Sequence, residues 1–254
     1  MVTQQFSATS ELEAAARILY ARWTLALPTA FASLAIAGII FFVIGAVIVS
    51  AVAAVLMGGR GAAIAAVGAG ASTVVFSILV MVLISTAAHA IVLVAAHEAW
   101  AGRDPDYGAA FRLTLVRFPA LLVAAFATAL LYAIPVVLSF LLVGIPLLFV
   151  LGYFLMYVRA AIMIGGEDGI TAIGTSFRLA TSNAGPSLVA FGGIIGAFII
   201  GRIVDAATIH LPVIGLLTAF FIGGATAAYI ALVEVRFYEL LRAEPVTATA
   251  LRVR

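Results

Sequence analysis

From Pro28 to Met57 the chain runs without one charged side chain. That exceeds the ~20 residues a helix needs to cross a hydrocarbon layer of ~30 Å. Long apolar runs, thinly interrupted by charge, recur from Ser72 to Ala96, from Pro119 to Gly165, from Pro186 to Ala206 and over 213–238. A bilayer interior admits only helices or closed barrels, because every backbone polar group must be satisfied internally. Continuous apolar runs of this length select the helix. The composition agrees: 65% of the 254 residues are hydrophobic and 9% charged, with a mean hydropathy of +1.28. An ordinary soluble domain carries about 25% charge, so a soluble fold could not cover its own surface with the charge present here.

The breaks between runs set the number of spans. Gly58-Gly59-Arg60-Gly61 ends the first run, and a Gly/Ala-rich connector leads to the second. The region 119–165 is too long for one span and divides at Gly144-Ile145-Pro146, where proline lacks the amide that would continue a helix. Pro186 opens the fifth span, and His210-Leu211-Pro212 turns the chain into the sixth. With the N-terminus placed in the cytoplasm, 11 of the 13 arginines fall at cytoplasmic ends; Arg60 lies outside and Arg202 lies within span five. This is the bias of the positive-inside rule. Trp23 and Trp100 fall at the same inner interface. The N-terminus has no basic residue before Arg17 and reads as uncleaved.

Three mixed segments, Ser10–Arg22, Tyr107–Phe118 and Gly169–Asn183, precede spans one, three and five. The first opens with Ser10-x-x-Glu13, a capping-box pattern. The second and third share Phe-Arg-Leu, at 111–113 and 177–179, ahead of Pro119 and Pro186. They read as amphipathic helices in the headgroup layer, with Arg17, Arg22, Arg112, Arg117 and Arg178 reaching lipid phosphates. The expected fold is therefore all-α: a polytopic membrane protein of six transmembrane helices in three hairpins, each preceded by an interfacial elbow helix. Its divisions are 1–27 for the N-terminal interfacial segment, 28–243 for the membrane domain and 244–254 for a cytoplasmic tail.

Ala101-Gly102-Arg103-Asp104-Pro105-Asp106-Tyr107, and Gly166-Glu167-Asp168-Gly169-Ile170-Thr171-Ala172 leading into Ser176-Phe177-Arg178-Leu179, resemble motifs of certain bacterial six-span proteins. Those proteins are similar to the membrane domain attached to some glycerophosphoryl diester phosphodiesterases. The resemblance covers roughly 95–200 and implies a six-span membrane part. In that family a soluble domain performs the hydrolysis, so no catalytic residue is carried over onto this chain.

Chemistry-bearing residues are few. Cysteine and lysine are absent, which removes disulfides, thiolate chemistry and a phosphate-loop or Schiff-base lysine. Arg202 and Asp205, three apart on one helix face, suit an ion pair or a transport site. Arg159 in span four and Glu234 in span six lie at similar depth and suit a pair across the bundle. His89 within span two is the one candidate ligand for a haem or pigment metal, with a hydrogen bond to a neighbouring helix as its plainer role. His97-Glu98 begins like a zinc-protease helix motif, but position 101 is alanine. Glu167 and Asp168 suit the opening of the helix that follows them. Small residues at four-residue spacing, Gly193, Ala197 and Gly201 in span five and Gly215, Ala219, Gly223 and Ala227 in span six, suit close helix packing within the hairpin or against another subunit.

The expected protein is non-catalytic, lies in the bacterial inner membrane with both termini cytoplasmic, and organises lipid or a partner protein. The alternatives are a transporter for a small solute or lipid-like molecule, and a subunit of a pigment or haem complex. No cofactor and no nucleic acid is expected; the expected partners are membrane lipid and a second copy or another membrane protein.

Overall fold

The computed structural model describes residues 7–57, 60–208, 210 and 212–243, and among them the chain is helical with no strand. Its α-helices are α1 (Ala8–Ala21), α2 (Leu27–Met57), α3 (Arg60–Trp100), α4 (Tyr107–Leu138), α5 (Gly144–Leu155), α6 (Val158–Met163), α7 (Gly169–Ser182), α8 (Ala184–Thr208) and α9 (Pro212–Ala243). Six stretches are long and apolar enough to cross a membrane: Trp23–Leu56, Gly68–Trp100, Tyr107–Leu138, Gly144–Met163, Ala184–Thr208 and Leu217–Ala243. The expected tail, 244–254, and Gly58-Gly59 lie outside the described residues.

Several boundaries differ from those read off the sequence. The Gly/Ala-rich stretch before Ser72 is not a connector but the first turns of α3, a helix of 41 residues. Alanine is the strongest helix former, and glycines scattered singly among alanines do not end a helix. At ~1.5 Å per residue α3 is about 60 Å long, roughly twice the hydrocarbon thickness. The segment Tyr107–Phe118 is not a separate helix either. It is continuous with the span after it, and Pro119 lies inside α4. One cap starts the whole helix, with Asp106 Oδ1 accepting from Ala109 N at 2.9 Å, and Pro119 is exposed on its surface.

The break near Gly144 is a tight turn over 139–143. A side chain at Gly144 would run into the backbone of Pro135, Leu138 and Ser139, so only glycine fits there. The fourth span is itself interrupted at Met156-Tyr157, with neither proline nor glycine at the interruption. A side chain inserted into the helix ladder causes it: Ser176 on α7 accepts from Tyr157 N at 3.1 Å and donates to Phe154 O at 2.6 Å.

Consecutive helices pack together, α2 on α3, α4 on α5 and α8 on α9, while α1 lies on α9 and α7 lies on α4 and α6. The core is concentrated toward the C-terminal ends of α3, α6 and α9. Leu93, Ile162, Leu232, Phe237 and Tyr238 are fully buried there. Much of α2 and the first half of α3 carries exposed large apolar side chains such as Phe41, Phe42, Val55 and Phe76. An apolar exterior of that extent suits hydrocarbon rather than water.

Candidate functional site

The intramembrane polar groups converge on one carboxylate. Glu234 on α9 is 2% exposed. Its Oε1 accepts from Arg159 Nη2 at 3.2 Å, and its Oε2 lies 3.1 Å from His89 Nε2. Arg159 and Glu234, expected at a common depth, are thus in contact, and His89 joins them from α3. A buried carboxylate is tolerable only when its lone pairs are satisfied by donors of this kind. The Nε2 of His89 is thus engaged by Glu234.

The helix break delivers Arg159. Every other residue from Leu155 to Met163 is buried, and Arg159 alone is exposed. Its exposed side faces a cavity of about 400 Å³ bounded by α3, α4, α5, α6, α8 and α9. Leu121, Met156, Phe191 and Ile194 supply apolar wall, and Thr86 and Tyr132 supply hydroxyls. Arg159 and Glu234 both line it, whereas His89, Arg202 and Asp205 do not.

A second set of contacts runs along the parallel pair α3 and α9. His97 Nδ1 pairs with Glu239 Oε1. Trp100 donates its indole N–H to Leu232 O at 3.0 Å, and the Arg236 guanidinium stacks 4.8 Å from its ring. Arg236 also holds α1 in place, with Nε donating to Glu11 Oε2 at 2.7 Å. No local pattern in the sequence signals this tie, because Glu11 and Arg236 are 225 residues apart.

The remaining candidates separate into engaged and free groups. Arg202 and Asp205 form an ion pair at 3.7 Å on α8, with Arg202 also 5.0 Å from the Phe198 ring. Of the five arginines assigned to lipid phosphates, Arg17, Arg112 and Arg178 are exposed. Arg22 and Arg117 are instead drawn back to protein carbonyls. Arg22 donates to Ala99 O at 2.9 Å and Gly102 O at 3.2 Å, and Arg117 donates to Gly166 O at 2.8 Å. Loop carbonyls at helix ends lack ladder partners, so they compete for nearby guanidinium groups.

Asp168 caps α7, with Oδ1 accepting from Ile170 N and Thr171 N and Oδ2 from the Thr171 hydroxyl at 2.6 Å. The Thr171 hydroxyl, followed by these amides, holds its carboxyl below the ordinary range. His210 is an exposed turn residue.

The small residues do not act as one stripe. Gly193 lies under Leu12 of α1, where an added Cβ would come 2.7 Å from Leu12 Cδ2. Gly201 lies against Thr226 of α9, and Ala197 shares the same groove. Gly215 and Ala227 are half-buried, and Ala219 is exposed. Around Gly223 there is open space, and the close approach belongs to its neighbour Gly224, where a Cβ would lie 2.6 Å from Ala26 O. The four-residue spacing names the right helix but the wrong glycine.

No protein-family profile, curated protein or solved structure matches the chain.

Proposed function

We propose that this chain is a non-catalytic integral protein of the bacterial inner membrane that organises lipid, with both termini on the cytoplasmic side. The observation that carries the reading is the placement of Arg17, Arg112 and Arg178. Each is exposed, and they stand on α1, the first turns of α4 and α7, the helical segments that precede spans one, three and five. Arginines in that position reach headgroup phosphate while the adjoining apolar residues remain at the acyl boundary. The arginine bias toward the same ends of the spans supplies the orientation. The resemblance of 95–200 to the membrane domain of glycerophosphoryl diester phosphodiesterases accords with a role exercised within the lipid layer.

The test is thermal unfolding of the protein reconstituted in phosphatidylcholine vesicles with and without phosphatidylglycerol. Anionic lipid is expected to raise the Tm of the wild type and to have little effect on an R17Q/R112Q/R178Q variant. Equal responses of the two proteins would remove the arginines from the account. A second reading, movement of a lipid-like molecule, is favoured by the cavity beside Arg159 and Glu234. Arg202 and Asp205 take no part in it, since they stand outside the cavity lining.

A further inference from the structure

The Arg159 guanidinium is only partly used. It carries five N–H donors in a fixed fork, and among the described residues one of its nitrogens, Nη2, donates to a protein acceptor, Glu234 Oε1. The other oxygen of Glu234 is engaged by His89. The Arg159 side chain is 44% exposed, although its helix is buried on either side. An arginine within a span is costly unless its donors find acceptors, and here the acceptors have to enter through the cavity. The cavity walls divide by chemistry: Arg159, the buried Glu234 paired to it, Tyr132, Thr86 and Thr128 are polar, while Leu121, Phe191 and Ile194 are apolar. Its volume of about 400 Å³ stands near the small end of the ~300–1,000 Å³ typical of small-molecule sites.

We infer that this cavity binds a single-chain amphiphile with an anionic head, carboxylate or phosphate. The head takes the free donors of Arg159, and the tail lies along the apolar wall between α4 and α8. Guanidinium suits this role because its remaining edge presents paired donors matched to the two oxygens of such a head. Glu234 positions the guanidinium from behind, and His89 fixes Glu234. The site deepens the lipid reading above, yet it uses none of the exposed arginines on which that reading rests, so either one can fail alone.

The experiment titrates the full chain, in phosphatidylcholine nanodiscs, with radiolabelled dodecyl phosphate and with palmitate. The wild type is expected to bind one equivalent saturably, with each probe displacing the other. Two variants are expected to weaken binding by about tenfold or more, the scale of one lost hydrogen bond to a charged group. R159Q/E234Q removes both charges together, so no lone buried charge is left to unfold the protein. A125F fills the cavity and leaves the ion pair intact. R202Q, outside the cavity, is expected to bind as the wild type does. Undiminished binding by R159Q/E234Q would overturn the proposal and leave the cluster a packing feature. Inorganic phosphate competing as strongly as dodecyl phosphate would overturn the amphiphile in favour of a small-anion site. Dodecanol competing as strongly would overturn the role of the anionic head.

Discussion

His89 and Glu234 are 145 residues apart in sequence and 3.1 Å apart in the structure, each buried, with Arg159 on the opposite oxygen of the carboxylate. One acidic group therefore joins spans two, four and six.

Removing the shared carboxylate strips an acceptor from both partners at once. Deleting one member of a fully buried ion pair costs about 3–5 kcal/mol, and the loss here is smaller because water screens the 44% exposed Arg159 side chain. Glu234→Ala is expected to lower the unfolding midpoint in detergent more than His89→Ala does, because it removes the acceptor of both Arg159 and His89. Exchanging the charges, Arg159→Glu with Glu234→Arg, is expected to restore only part of the loss, since His89 Nε2 then faces a guanidinium donor in place of its carboxylate acceptor. Full restoration would show that His89 contributes nothing to the cluster.

Adjacent glycines on α9 give a sharper test of packing. Gly224 lies against the Ala26 carbonyl and the Ala30 methyl, whereas nothing approaches within 4 Å of a Cβ at Gly223. Gly224→Ala is expected to destabilise by about 1–3 kcal/mol through overpacking. Gly223→Ala is expected to be neutral or stabilising by up to about 1 kcal/mol from helix propensity. Comparable thermal shifts in the two variants would contradict this placement of α2 against α9.

The cap on α7 carries a pH signature. The Thr171 hydroxyl and the Ile170 and Thr171 amides favour the ionised form of Asp168 and hold its carboxyl below the ordinary range. A depressed folded-state value means that this contribution is fully present above the unfolded value of ~3.9 and is lost as the pH falls through the lower folded one. Hydrogen exchange at the amides of Ile170 and Thr171 is expected to quicken, relative to the rest of α7, across that acid window. In Asp168→Ala those amides should exchange fast at every pH, with no such transition.

The six spans were legible because each apolar run exceeds the length of a hydrocarbon crossing, and glycine or proline marks most of their ends. The depth match of Arg159 and Glu234 was legible too, since the arginine bias orients each span and so places both residues toward one end. His89 reads in sequence as a solitary histidine, because no local pattern tells which face of α3 meets α9. The cavity was not legible at all. It borders the helix break where Ser176 enters the ladder between Phe154 and Tyr157, and neither proline nor glycine announces that break. The same limit applies to Gly224, where four-residue spacing picks out a helix face only to within one residue.

Native mass spectrometry of the protein released gently from its own membrane tests the central claim, an integral membrane protein that holds lipid, most directly. The account predicts the chain carrying bound anionic lipid or a single-chain acid, with the acid lost in R159Q/E234Q. A chain that emerges bare, or that carries a porphyrin or pigment mass instead of lipid, would contradict it.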